Sequence, residues 1–523
     1  MLAVSSADVA AVNVAIASYQ RTFQWQAALG LLSNMPQARV NADIISFSSA
    51  TCACQKGRRW DTALHLFTEL PAASVVADVV SFNTTISAYE KGSLWEAALQ
   101  VLSSMRSAEA LPDVISFCST VSACEKASEW EAAVHLFSQM SKDMIATDVV
   151  AFNATMSACE KASRWQKASH LFAAGPDIRI EPNSISFSAA LSACEKGSEW
   201  ERALELFTDI RRARLTPTVI SFNACISACE KASDWHRALH LVSEMARVEV
   251  LADVTTLNSA ISTCEKASQW EAALRLFSGM QEPIKPDVVS FNSVISASEK
   301  SCRWEAALNF LSEMPSWRIS CDVITISAAL SACERGSEWE RALDLLAGMP
   351  KIRVSPNIIT YNTAISACET GMLWEAALLF LPHMSSILIA ATSVSFGALI
   401  SACEKGSRWE HALQVFLDMP AASILPGLIN FNAALSACEK GAKWQTVVDV
   451  LSEMPSAAVR PDVISFNVAV TTCANSTAWQ AACLVLASAI AAMVVPNAIT
   501  LDAATASCHR AGAWHCMPDL LAR

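Results

Sequence analysis

The chain has 523 residues, 53% of them hydrophobic and only 17% charged, a composition that excludes an intrinsically disordered protein. Its 50 acidic residues outnumber 38 basic ones, so a formal net charge of −12 sets it apart from nucleic-acid binders that are basic over their whole surface. Nineteen cysteines without a single C-x-x-C pair exclude the common zinc frameworks, and so many unpaired thiols point to a reducing compartment.

Residues 1–8 read as a short lead-in. MLAVSSAD is brief and has no arginine, so it is not expected to act as a transit peptide. From residue 9 to residue 523 one pattern recurs. Trp25, Trp60, Trp95, Trp130, Trp165, Trp200, Trp235 and Trp270 stand 35 residues apart; Trp304 follows a 34-residue step, and the 35-residue spacing then runs on to Trp514, with only Trp317 outside the series. Such a ruler means a repeat architecture of about fifteen repeats, the last cut short, with no linker between them.

Within one repeat, Val114, Phe117, Val121 and Cys124 fall on one face of a first helix. Gly92, Gly197, Gly336, Gly406 and Gly441 are expected to end that helix in the left-handed conformation. Ser128 and Glu131, with the matching pairs Ser93/Glu96, Ser198/Glu201, Ser268/Glu271, Ser337/Glu340 and Ser407/Glu410, are expected to form a capping box at the second helix. That second helix puts Trp130, Val134 and Phe137 on one side, with Ala133 small enough for close contact. Pro112, Pro182, Pro286, Pro356, Pro461 and Pro496 mark the exits. A hairpin of this size cannot bury its own core and must stack on its neighbours, which predicts an all-α solenoid with a continuous inner groove.

Twelve cysteines, from Cys54 through Cys124 to Cys508, share one position of the first helix and read as small buried hydrophobes. The apolar run from Ala481 to Val495 is in step with the ruler and reads as core, not as a membrane span. No phosphate-binding loop, nucleophile elbow, H-E-x-x-H or acidic nuclease cluster occurs, so no catalysis, metal or cofactor is expected.

Opposite the apolar face lies a second stripe that packing does not demand. Its middle residue is asparagine at Asn13, Asn83, Asn153, Asn223, Asn258, Asn292, Asn362, Asn432 and Asn467, and serine at Ser48, Ser188 and Ser327. Asparagine is a mediocre helix former, so its recurrence calls for a reason. Three residues earlier stands a β-branched aliphatic residue: Ile45, Val80, Ile115, Val150, Ile185, Ile220, Val289, Ile324, Ile359, Val394, Ile429, Ile464 or Ile499. It either packs on the preceding repeat or offers a wedge for flat rings. The residue closing each repeat is Asp43, Asp78, Asp113, Asp148, Asp253, Asp287, Asp322 or Asp462, or else Asn183, Asn357 or Asn497, types that favour a helix N-cap and are equally suited to recognition.

A 35-residue hairpin reading V-I-S-F-N-x-x-I-S-A-C-E-K-G-x-x-W-E-x-A-L-x-L-F-x-E-M and closing in P-D resembles the pentatricopeptide repeat family over essentially the whole chain. The resemblance implies a right-handed α-solenoid in which each repeat reads one RNA base through two or three side chains. It would place the specificity pair on the Asn/Ser stripe and the terminal Asp/Asn, with the β-branched residue sandwiching the base. On that basis Asn13/Asp43, Asn83/Asp113, Asn223/Asp253, Asn258/Asp287, Asn292/Asp322 and Asn432/Asp462 favour uridine. Asn153/Asn183 and Asn467/Asn497 favour cytidine, Ser327/Asn357 adenosine, and Ser48/Asp78 guanosine. Cys118/Asp148, Ser188/Thr218, Asn362/Thr392 and Gly397/Gly427 depart from the family's combinations. The implied ligand is a single-stranded, pyrimidine-rich RNA of about fourteen nucleotides. Lys91, Lys126, Lys161, Lys196, Lys231, Lys266 and Lys300, near the end of the first helix, are placed to meet phosphates, although a glutamate directly precedes most of them. By family habit the chain is expected in a plastid or mitochondrion, as a monomer without membrane association, working with RNA-processing proteins. The alternative is a protein-binding helical scaffold, which the net acidity favours.

Overall fold

A computed structural model describes residues 6–22, 24–35, 42–57, 59–69, 77–108, 110–143, 145–175, 178, 180–280, 284–476, 478–492 and 494–510. Among them every regular element is a helix. The first begins at Ser6, inside the expected lead-in, while the shortened final hairpin with Trp514, His515 and Cys516 lies outside the described residues.

The chain divides into two compact units, Met1–Thr263 and Cys264–Arg523. The first holds seven hairpins, from Ser6–Arg21 with Trp25–Asn34 to Val219–Ala232 with Trp235–Arg247, and most of the helix Val254–Lys266. The second opens on Trp270–Ser278, continues through six hairpins from Val288–Lys300 with Trp304–Glu313 to Val463–Asn475 with Trp479–Ala491, and closes on Ala498–Arg510. Within each unit the first helix of a hairpin packs on the first helix of the next, and each second helix is wedged between them.

The cores follow the apolar periodicity. In Val114–Ala127 the buried residues include Phe117, Val121 and Cys124; in Trp130–Lys142 they are Ala133, Leu136, Phe137 and Met140. Trp130 and Val134 are only half-buried. In several repeats the second-helix phenylalanine meets the first-helix phenylalanine of the next hairpin, with ring centroids 4.8 Å apart for Phe172–Phe187, Phe207–Phe222 and Phe277–Phe291 and 4.9 Å for Phe416–Phe431. Burying one such ring stabilises by about 1.5–3 kcal/mol, and this contact is made between repeats, so no hairpin is stable by itself. The twelve register cysteines are all buried. Burial pushes the thiols of Cys124, Cys159, Cys194, Cys229, Cys264, Cys333, Cys368, Cys403 and Cys473 up to about 11, which leaves them protonated and chemically quiet at neutral pH.

Two local expectations are corrected. The left-handed residue at the hairpin turn is the one after the glycine: φ is 56° at Ser93, 62° at Ser198, 60° at Ser337 and 56° at Ser407. Gly336, Gly406 and Gly441 have φ of −78°, −71° and −78°. Glycine is there for space, since a Cβ would come within 2.7 Å of Trp374 at Gly406 and 2.6 Å of Trp409 at Gly441. That tryptophan opens the second helix of the preceding repeat. It is also covered by a cation of the next repeat, as with Arg237 over Trp200 at 4.3 Å and Arg408 over Trp374 at 5.3 Å.

The capping box at the second helix is likewise absent from its expected place. The N-caps there are Leu94, Glu129, Glu199, Gln269, Glu338 and Arg408, none with a side-chain cap bond. The serine of each Ser-x-x-Glu motif has been spent on the left-handed turn, one residue too early to reach the free amides. Reciprocal caps stand at the first helix instead, where Asp43/Ser46, Asp113/Ser116, Asn183/Ser186, Asp322/Thr325 and Asp462/Ser465 each satisfy both partners.

Candidate nucleic-acid interface

The thirteen β-branched residues do not pack on the preceding repeat. In the first unit Ile45, Val80, Ile115, Val150, Ile185 and Ile220 are between 56% and 62% exposed, and in the second Val289, Ile324, Ile359, Val394, Ile429, Ile464 and Ile499 between 55% and 79%. Each unit therefore presents a row of bare aliphatic side chains at the spacing of its stacked helices, interrupted in the first unit by Ala10 and Thr255.

In the asparagine-type repeats the polar residues of the stripe are joined across the repeat boundary. Asn13 Nδ2 donates to both oxygens of Asp43 at 3.0 and 3.1 Å, and Asn83 Nδ2 to those of Asp113 at 3.1 and 3.3 Å. Asn153 reaches Asn183 Oδ1 at 3.3 Å, Asn223 reaches Asp253 at 3.3 Å, Asn292 reaches Asp322 at 3.4 Å and Asn432 reaches Asp462 at 3.3 Å. The two halves of these six expected specificity pairs, 30 residues apart in sequence, thus meet side by side. Asn258 lies in the first unit and Asp287 in the second.

A third group closes the arrangement. The hydroxyl of Ser46 donates to Asn13 Oδ1 at 2.6 Å; Ser116 does the same to Asn83, Thr325 to Asn292, Ser395 to Asn362 and Ser465 to Asn432, all at 2.6 Å. Ser186 to Asn153 and Thr256 to Asn223 measure 2.5 Å. These hydroxyls are the N3 residues of the first-helix caps, and their own amides donate to the same carboxylates, at 2.8 Å from Ser46 to Asp43 and 2.7 Å from Thr325 to Asp322. The terminal aspartate is therefore at once a helix cap and the neighbour of the stripe asparagine. Burial opposes its ionisation, but hydrogen bonds from the serine or threonine hydroxyl and amide and from the asparagine outweigh it, holding Asp43, Asp113, Asp322 and Asp462 below the ordinary carboxylate value.

Serine-type repeats are wired differently. Ser48 Oγ donates to the carbonyl of Ile45 at 3.1 Å, Ser188 to Ser184 at 2.8 Å and Ser327 to Val323 at 2.7 Å, so these hydroxyls are engaged with their own helix. At Asn467 the Oδ1 is buried with no partner, and Thr500 turns its hydroxyl to the Asn497 carbonyl at 2.8 Å. Where Gly397 stands in the stripe, Asn430 fills the place below it and bonds back to Ser393 at 2.7 and 2.9 Å. Asp148, the partner of Cys118, makes no side-chain cap bond.

The expected phosphate lysines share the stripe, as Asn292, Ser296 and Lys300 follow one another four residues apart on one helix. Four of their ammonium groups are nonetheless paired with a glutamate of the preceding repeat: Lys126 with Glu90 at 2.9 Å, Lys161 with Glu125 at 3.1 Å, Lys196 with Glu160 at 3.2 Å and Lys300 with Glu265 at 3.1 Å. Lys405 with Glu369 and Lys440 with Glu404 extend the series, and Lys231 bonds the carbonyl of Glu195. Lys91 is exposed. Among the described residues no group of three or more His, Cys, Asp or Glu side chains is placed to hold a metal ion, and no helix is long and apolar enough to cross a membrane.

Family models agree with this geometry. That of the pentatricopeptide repeat domain matches residues 177–232, 240–300 and 414–476, and that of the PPR repeat family matches 286–335. The PPR repeat matches 220–250 and 394–424, and the pentatricopeptide repeat-containing protein model 51–174. The chain belongs to the pentatricopeptide repeat family.

The fold is similar to that of the pentatricopeptide repeat protein PPR10 from maize, with a TM-score of 0.57 at 18% identity over 98% of this chain and 82% of that one. Also similar are PPR10 in complex with an 18-nt psaJ RNA element, at a TM-score of 0.44, 19% identity and 96% and 82% coverage, and yeast Rmd9p in complex with a 16-nt target RNA, at 0.31, 10% and 79% and 91%. No curated protein matches the chain in sequence. In this pentatricopeptide repeat chain two sets of groups escaped the sequence reading: the Ser/Thr hydroxyls under the asparagines and the glutamates facing the lysines. Both recur once per repeat, which was a visible signal, but both act on a residue one repeat away.

Proposed function

We propose that the chain binds single-stranded RNA through the exposed stripe of its first helices, about one base per repeat, and acts by occupancy without catalysis. The observation that carries this reading is the repeated pairing of a bare aliphatic side chain with a hydrogen-bonded amide and carboxylate. A flat ring laid on Val289 covers apolar surface that is otherwise wet, while its edge meets Asn292 of the same repeat. An amide both donates and accepts and a carboxylate only accepts, so exchanging the terminal Asp for Asn changes which base edge is satisfied. The pairs present favour a pyrimidine-rich target, with Asn/Asp repeats reading uridine and Asn/Asn repeats cytidine. Family habit extends the proposal to organellar RNA processing, stability or translation, carried out by a monomer together with RNA-processing proteins.

Selection from a random RNA pool at two salt concentrations tests it. The expected result is an enriched pyrimidine-rich motif, and changing Asn292→Ser together with Asp322→Asn should move the preference at one position towards adenosine. A protein-binding scaffold is the second reading, favoured by the net charge of −12 and by the glutamates that neutralise the stripe lysines. Failure to enrich any RNA motif would establish the scaffold in its place.

A further inference from the structure

We infer that the Ser or Thr at the third position of each first helix is a positioning residue for base selectivity: its hydroxyl fixes which way the asparagine amide of the preceding repeat faces. The inference rests on the RNA-reading stripe proposed above and adds to it a residue outside the expected specificity pair. An asparagine turned by half a rotation presents oxygen where nitrogen had been, which exchanges acceptor for donor at a base edge. In these repeats two restraints agree on one orientation. The carboxylate of Asp322 draws Nδ2 of Asn292, and the hydroxyl of Thr325, at 2.6 Å, takes Oδ1.

A capping role alone does not account for the hydroxyl. Capping boxes commonly use Glu or Gln at this place, whose side chain reaches back to the N-cap amide equally well, yet neither occurs here in any repeat. The distribution along the chain follows the asparagine instead. All nine stripe asparagines are followed 32 or 33 residues later by Ser or Thr, as Asn13 by Ser46, Asn292 by Thr325 and Asn467 by Thr500. Among the repeats that follow another, only two lack a hydroxyl there, and they are the two preceded by a stripe residue that is neither Asn nor Ser: Cys118 is followed by Ala151, and Gly397 by Asn430. Asp148 still stands as N-cap above Ala151, so capping need is unchanged while the hydroxyl has gone with the amide.

Thr360 supplies the internal control. Its hydroxyl accepts from the Asn357 amide at 2.9 Å, as a cap residue should, but donates to the Asn357 carbonyl at 2.7 Å, and its stripe residue Ser327 is held by its own helix. Thr325→Val and Thr360→Val therefore remove the same capping bond, and only the first releases an amide. In random-pool selection with the full chain, Thr325→Val should flatten the base preference at the Asn292 position by about tenfold, the worth of one lost hydrogen bond to a polar group, and leave other positions alone. Thr325→Ser should restore it, and Thr360→Val should leave every preference intact at a similar loss of melting temperature. A wild type with a clear motif that Thr325→Val preserves, or that Thr360→Val erodes to the same extent, overturns the positioning role while leaving RNA reading in place. A wild type without any motif overturns the RNA reading itself, and the positioning role with it.

Discussion

At the scale of single residues the terminal aspartates carry the most interactions per atom. Asp322 accepts from the amide of Thr325 and from Asn292, with the Thr325 hydroxyl 2.7 Å away and shared with Asn292, and these contacts make it a stronger acid folded than unfolded. A carboxyl whose folded value lies below its unfolded value of 3.8 contributes its stability above 3.8, and that contribution disappears as the pH falls through the folded value. Stability measured by urea unfolding should thus hold from neutrality to about pH 4 and then decline, and the decline should be shallower in Asp322→Asn, which keeps an accepting oxygen for the cap but no titrating group. An unchanged acid limb in that variant would mean that Asp322 gains nothing on folding. The asparagine–aspartate register and the bare wedges were legible from spacing alone, because both recur at fixed positions of one helix. The hydroxyl beneath each asparagine was not, since Ser46 and Asn13 are brought together by the stacking of two hairpins, and no local pattern links residues 33 apart.

At the scale of the helix and its turn, the hairpin boundary shows how one motif can serve a different purpose from the one it suggests. Ser-x-x-Glu matches a capping box letter for letter, but Ser337 sits at φ 60° and Glu338 is the residue that starts the next helix. The box that forms is Asp-x-x-Ser or Asp-x-x-Thr at the first helix, where a hydroxyl replaces the usual Glu and so escapes the motif. Stability should follow the structure: Asp462→Ala is expected to cost about 1 kcal/mol, within the usual range for a lost cap, and Ser337→Ala a few tenths at most. The glycine before the turn answers to a different constraint. Gly371→Val must push its Cβ against Trp339, 2.7 Å away, and the overpacking should cost about 1–3 kcal/mol in thermal or urea unfolding. Ala127 and Ala162 stand at that place in other repeats, so a single methyl is accommodated there.

At the scale of the whole molecule the question is how a chain of net charge −12 would hold the polyanion proposed as its ligand. The period of the tryptophans made the helical repeat legible at once, whereas the electrostatics of its stripe were obscured: each Glu-Lys dipeptide looked like a pair cancelling within one helix, but adjacent helical residues diverge by about 100° and the lysine finds the glutamate of the preceding repeat. Lysines held at 2.9–3.2 Å from a carboxylate bring little net charge to a phosphate, so the chain should rely on stacking and base edges and show a weak salt dependence. Converting Glu90, Glu125 and Glu160 to Gln removes three carboxylates and frees Lys126, Lys161 and Lys196 in consecutive repeats of the first unit. If those cations face the RNA, each adds about 0.7 to the slope of log affinity against log salt for a single strand, so the triple variant should bind more tightly at low salt and steepen the slope by about 2. The base preferences should stay where they were, because the carboxylates removed are not the ones that meet an asparagine. A slope that does not change would place the lysines away from the phosphates, and the wedge and its amide would then have to supply the affinity without them.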